Sequence, residues 1–145
     1  GPMSIKSIVP VKVSLKTKMT QDGKSDHYHF EEDGQFVTLE NGQHYLRYVE
    51  HQGSQATPVQ FRLAPDEIHL VRSGAQKTHF RFANGSEHLT HYQTEYGRIA
   101  LRVVTNRLDA DLNLAAIAGH VEIRYQLLMQ DQLIGNYQIQ LQFGA

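Results

Sequence analysis

The chain contains no cysteine. That excludes disulfides, thiolate metal sites and cysteine nucleophiles together, and it suits a reducing compartment. No charge of one sign dominates: fourteen Lys and Arg stand against fifteen Asp and Glu. The basic residues are scattered and form no block, so the basic face that phosphate neutralisation demands is missing, and nucleic acid is not an expected partner. No run of about 18 apolar residues occurs, so no helical membrane span is expected, and no amphipathic stretch suggests membrane docking. Neither a phosphate-cradling glycine loop nor a G-x-S-x-G nucleophile elbow is present, and the serines lack motifs around them. No cofactor is called for, and the sequence is read as that of a non-enzyme. No charged-then-apolar leader follows Met3.

What remains suits one domain. Gly1-Pro2 before Met3 reads as an expression-tag scar and is left out of the fold argument; residues 3–145 form the expected domain. A chain of 145 residues buries roughly 68–70% of its unfolded surface and builds a core without staples.

The dominant rhythm has a period of two, the period of a strand. Val121, Ile123, Tyr125, Leu127 and Met129 alternate with His120, Glu122, Arg124 and Gln126. Tyr137, Ile139, Leu141 and Phe143 alternate with glutamines. Each segment therefore has one apolar and one wet face, the signature of an antiparallel sheet with one solvated side. Gln130-Asp131-Gln132 between them is short enough for a hairpin. Further strands are expected near 9–15, 26–39, 43–51, 57–63, 67–72, 77–83, 88–95 and 98–105, the last extending towards Asp111. Pro10 confines the first to an edge or a strand start. Asn41-Gly42 and Asn84-Gly85 are two-residue hairpin signals, since both positions tolerate positive φ. The stretch from Leu112 to Gly119 reads as a strand end plus a turn, with a helical turn capped by Asn113 as an option.

About ten short strands joined by tight turns make a meander, and an open meander would leave two edges exposed to aggregation. The expected fold is thus all-β: a single closed or nearly closed antiparallel up-and-down barrel of about 8–10 strands.

Several short motifs, in order, resemble a known family. They are Tyr48-Val49-Glu50, Val71-Arg72-Ser73-Gly74, Tyr92-Gln93-Thr94-Glu95-Tyr96-Gly97, Thr105, Tyr125-Gln126-Leu127 and Leu133-Ile134-Gly135-Asn136. Together, from about Val11 to Phe143, the chain is similar to the YwiB-like family of uncharacterised bacterial proteins described as calycin-like β-barrels. The resemblance implies a calycin-like barrel of the lipocalin or fatty-acid-binding-protein type, cytoplasmic and from a low-GC Gram-positive bacterium. It implies no activity and carries over no catalytic residue.

Strand parity defines the candidate site. Ile68, Leu70 and Arg72 share a face, as do Leu46, Tyr48 and Glu50, and Ile99, Leu101, Val103 and Thr105. If those faces point inward, Arg72, Glu50 and Thr105 end three inward rows. Tyr92 and Thr94 share a parity whose direction the sequence leaves open. An arginine inside a barrel must be paired or contact an anion, because a lone buried charge is very costly. Arg72 therefore either grips a ligand head group, with Tyr48 or Tyr92 donating a hydroxyl, or forms a structural pair with Glu50. The second needs no ligand and is preferred.

The functional expectation is non-catalytic binding of a small, partly apolar molecule inside the barrel, with an anionic group suited to Arg72. The alternative is an interaction scaffold or regulator acting through its outer face, as a monomer or homodimer. Val49, Val71 and Leu128 break the alternation of polar faces and are its candidate patch. His27 and His29 share a strand face with Glu31, yet they fall on the wet side, so exposed histidines are preferred to a metal site there. His88 and His91 fall on opposite faces of a strand. Asp109 and Asp111 read as solvated carboxylates.

Overall fold

The computed structural model describes residues 3–145; the Gly1-Pro2 scar lies outside the described residues. Ten strands follow one another: β1 (Ile5–Gln21), β2 (Lys24–Leu39), β3 (His44–Gln52), β4 (Gln55–Leu63), β5 (Ile68–Ser73), β6 (Lys77–Phe82), β7 (Glu87–Thr94), β8 (Gly97–Asn113), β9 (Ala118–Met129) and β10 (Gln132–Gly144). All pairings are antiparallel and form one sheet in the order β6-β5-β4-β3-β2-β1-β10-β9-β8-β7. Two meanders, β1 to β6 and β7 to β10, are joined where β10 pairs with β1, Thr20 opposite Asn136 through Lys12 opposite Gly144. The barrel is thereby closed everywhere except between β6 and β7, and no helix occurs among the described residues.

The turns explain the register. Gln130 and Asp131 both adopt left-handed backbone (φ 50° and 63°), the geometry whose twist matches that of the flanking strands. The segment after Asn113 forms no helix. Asn113 Oδ1 accepts the Ala116 N–H at 3.1 Å, Ile117 turns at φ 52°, and β9 begins at Ala118. Pro10 sits where β1 pairs only with β2, because β10 reaches no further than Lys12.

The interior follows the alternation. Val11, Val13 and Leu15 of β1, Leu46 and Tyr48 of β3, Val59, Phe61 and Leu63 of β4, Ile68 and Leu70 of β5, and the apolar rows of β8 to β10 are buried in one core. Phe36, Phe61 and Phe82 fill the middle and are at most 1% exposed. One glycine shapes the wall. A Cβ on Gly34 would lie 2.8 Å from the Arg47 carbonyl oxygen and 2.8 Å from Val13 Cγ2, so only glycine allows these strands to approach this closely. The β2–β3 ladder ends at this position, Gly34 opposite Tyr48. Beyond it Glu32 accepts the His51 backbone N–H at 2.7 Å, replacing the lost ladder bond.

The break between β6 and β7 departs from expectation. Asn84-Gly85 does form a turn, with the Ser86 N–H on the Ala83 carbonyl at 3.0 Å, but the strands on either side do not pair. The turn is captured by β8 instead. The Gly85 N–H donates to the Thr105 carbonyl at 3.2 Å and the Thr105 N–H to the Ser86 carbonyl at 2.9 Å. The Asn84 amide brackets Leu108, donating to its carbonyl at 2.9 Å and accepting its N–H at 2.7 Å. A bulge between Thr105 and Arg107 frees the β8 backbone for this. β7 then laps over the edge of β6. His88 and Thr90 share a face with Val103 and Leu101, yet the Thr90 hydroxyl donates to the His79 carbonyl at 2.6 Å, and the His88 ring lies 6.1 Å from that of His79. Asn84→Ala removes both side-chain bonds and strands the Leu108 backbone. It is expected to cost about 1–3 kcal/mol in urea unfolding, and an unchanged midpoint would show that the bracket contributes nothing.

Candidate functional site

Of the six residues singled out by parity, three meet in one hydrogen-bonded group. Glu50 is 4% exposed. Its Oε2 accepts the Tyr48 hydroxyl at 2.9 Å, and its Oε1 pairs with Arg72 Nη1. The Arg72 side chain is 30% exposed and the Glu50 side chain 4%, so the carboxylate lies deeper than the cation that neutralises it. β3 and β5 are not neighbours. Val59 of β4 lies between them, opposite Tyr48 on one side and Arg72 on the other. The pair thus spans an intervening strand, and both long side chains lie along the inner wall. Burial, the Glu50 charge and the bond to Glu50 hold the Tyr48 hydroxyl far above its ordinary range, against a smaller opposing pull from Arg72.

Thr105 is 1% exposed and its hydroxyl has no hydrogen-bond partner among the described residues. It lies opposite Tyr125 of β9. Tyr125 is 6% exposed; it stacks on Tyr137 with ring centres 5.0 Å apart and tilts against Phe82 at 4.8 Å. Burial raises its hydroxyl above the usual range, with Tyr137 adding to this and the Arg72 charge opposing it. The Arg72 charge on β5 therefore acts on Tyr125 of β9. Tyr125 was not among the candidates, because its parity marked it only as a core residue and nothing local sets β9 across from β5.

Tyr92 and Thr94 do not join this group. Their direction is settled by β7, where they share the lapping face with Thr90. Tyr92 is half-buried there. Thr94 serves the next turn, donating to the Gly97 carbonyl at 2.7 Å and accepting the Tyr96 N–H at 3.1 Å.

The outer wall carries a second feature. An open groove of about 830 Å³ is lined by Pro10, Val49, Pro58 and Val71, with Arg47 and Lys77 among the charged residues around them. Val49 is 37% exposed. Leu128 is not part of it; it lines a separate hollow with Leu89 and Met129. Two of the three alternation-breaking residues thus meet in one concavity.

The other candidates are on the surface. His27 and His29 are exposed, with His29 Nε2 3.3 Å from Glu31, and no cluster fit to hold a metal occurs among the described residues. His91 is exposed and His88 half-buried on opposite faces. Asp109 pairs with Arg107, and Asp111 is exposed.

Glu67 organises a larger outer cluster. One carboxylate oxygen accepts Arg81 Nε at 2.7 Å and His69 Nε2 at 2.6 Å, and these bonds lower its pKa from 4.5 to about 2. A depressed carboxyl stabilises the fold above its unfolded value and loses that contribution as pH falls towards the folded value. The stability difference between the wild-type chain and Glu67→Gln is therefore expected to be full above pH 4.5 and to vanish as pH approaches 2. Urea unfolding across that range measures it, and a pH-independent difference would contradict it.

These features define a nearly closed, ten-stranded antiparallel barrel with a packed middle and an ion-paired inner wall. The chain belongs to the family described as a domain of unknown function (DUF1934), whose pattern matches residues 13–141. It is similar to the uncharacterized beta-barrel protein YwiB of Bacillus subtilis (strain 168), 23% identical over 128 residues and 88% of each chain. The crystal structure of the Bacillus subtilis ywiB protein superposes with a TM-score of 0.81 at 21% identity, covering 98% of this chain and 95% of that one, and so shares the fold. A LolA superfamily protein from Nitrosomonas europaea reaches a TM-score of only 0.33 at 12% identity, covering 100% of this chain and 86% of that one. No helix among the described residues is long and apolar enough to cross a membrane.

Proposed function

We propose that this barrel is a non-catalytic interaction module that engages a partner protein through its outer face, at the groove beside Val49 and Val71. The observation that carries this reading is the groove of about 830 Å³ on a wall whose alternation should have left only polar side chains. Apolar side chains exposed in a concavity are what marks an interaction surface, whereas scattered ones do not. The barrel itself acts as a rigid support. Its middle is filled by phenylalanine rings, and Glu50 already has both a cation and a hydroxyl.

Val49→Asp and Val71→Asp place charge in the groove without touching the core. Both variants are expected to keep the wild-type unfolding midpoint within about 0.5 kcal/mol, as surface changes do. Both should lose a partner that the wild-type chain and a Leu89→Asp control retain in affinity capture from the native cytosol. A partner held equally by all four chains would refute the assignment of the groove.

A second reading has one observation behind it. The Thr105 hydroxyl is buried without a partner opposite Tyr125, a ring on which the Arg72 charge acts. It favours a small, partly apolar anion at the inner wall. Native mass spectrometry separates the two readings, since only this one requires a retained small molecule.

A further inference from the structure

Among the described residues, the lap of β7 over β6 is the one junction between neighbouring walls of the barrel that no backbone ladder holds. The Thr90 bond to the His79 carbonyl crosses it, and so does the contact of His88 with His79, the end of a file of imidazoles from three strands. His69 of β5 and His79 of β6 are joined Nδ1 to Nε2 at 2.8 Å and stack with centres 5.1 Å apart; His88 of β7 follows at 6.1 Å. The bonding pattern fixes the protons. Glu67 accepts from His69 Nε2, so that nitrogen carries a proton. The bond to His79 then needs a proton on only one of its two nitrogens, because two N–H groups cannot face each other at this distance. One further proton leaves that bond intact, whereas protons on both His79 and His88 set two cations 6.1 Å apart across the lap.

We propose that the His69–His79–His88 file is an acid-sensitive latch that holds β7 on β6 at neutral pH and releases it when His79 and His88 become charged. The surrounding charges favour release. Arg62 of β4, Lys77 and Arg81 of β6 and His69 of β5 all oppose charge on this part of the file, and Glu67, before β5, is the carboxylate that attracts it. Glu67 is already engaged by Arg81 and His69. Burial first, then these cations, lowers the pKa of both His79 and His88 below 6.5. A depressed histidine stabilises the joint above 6.5, and that contribution falls away as pH drops below it. Release uncovers the face of Thr90, Leu101 and Val103 at the open side of the barrel. The latch is independent of what the outer groove binds.

The test is amide hydrogen exchange of the whole chain at pH 7.5 and pH 5.0, corrected for the intrinsic effect of pH on exchange. Protection in β7 and β6 is expected to fall by about tenfold or more, one pKa unit of coupling being tenfold in the opening equilibrium, while the β1–β2 and β9–β10 ladders keep theirs. His79→Gln with His88→Gln should abolish the pH response while leaving protection at pH 7.5 within about twofold. The ring titrations of His79 and His88, followed by NMR in the wild-type chain, need no variant and should track the loss of protection. Equal protection at both pH values, an acid response that survives in the double variant, or a loss of protection that does not follow either titration would each overturn the latch.

Discussion

Arg72→Met is expected to lower the unfolding free energy by about 3 kcal/mol, the lower end of the 3–5 kcal/mol range for breaking a buried pair on one side. The guanidinium is 30% exposed, so little is lost with the cation itself; the penalty falls on the Glu50 carboxylate, which is 4% exposed and keeps only the Tyr48 hydroxyl. A whole domain is stable by only about 5–15 kcal/mol, so the change removes a large share and should lower Tm by roughly 10 °C. One further result identifies the cause. The double variant Glu50→Gln with Arg72→Met should recover most of it, because no stranded charge remains. Urea titrations of the three chains decide the matter. An Arg72→Met chain as stable as wild type would show that the pair does not hold the wall, and would return Arg72 to the role of ligand anchor.

Phe82→Ala is expected to cost about 3–5 kcal/mol, the range for deleting a fully buried phenylalanine. Phe82 is 0% exposed and ends β6, the strand that lacks a ladder on one side. Its ring meets Tyr125 of β9 at 4.8 Å and Phe80 at 6.2 Å, so it ties the unladdered strand across the core to the opposite wall. The cavity left behind has apolar walls, and such cavities stay dry. Recovery of part of the loss by benzene, read as a ligand-dependent rise in Tm, would distinguish a true void from local collapse. A cost below about 1 kcal/mol would mean that β6 is held by its ladder with β5 alone.

Much of this was legible in the chain. Alternation in the last third placed Val121, Ile123, Tyr125 and Leu127 of β9 and Ile139, Leu141 and Phe143 of β10 on the inner face, where they are buried, while Met129 at the end of its row is exposed; side-chain direction in a strand is a local property with a period of two. The same arithmetic put Glu50 and Arg72 on inward rows, and burial energetics then made a pair of them. Val49 and Val71 stood out as apolar residues on polar faces, and they meet in one groove. Thr94, by contrast, reads like a site residue but caps a turn, since hydroxyls close to a glycine turn find backbone partners first. Asn84-Gly85 reads like a hairpin, but the bulged backbone of β8 offered its amide better partners than a β6–β7 ladder did.

The sequence by itself determined an all-β chain of about eight to ten strands, the core face of most of them and the need of an inward arginine for a carboxylate. These follow from steric alternation and desolvation, which act over a few residues. Only the tertiary structure decided that β7 laps over β6, that three histidines from three strands form a file there, that the Arg72 charge reaches Tyr125, and that Gly34 lets the β2–β3 ladder end beside a groove. Those arrangements depend on how far each strand is shifted along its neighbour and how the sheet coils shut, sums over the whole barrel that no local pattern encodes.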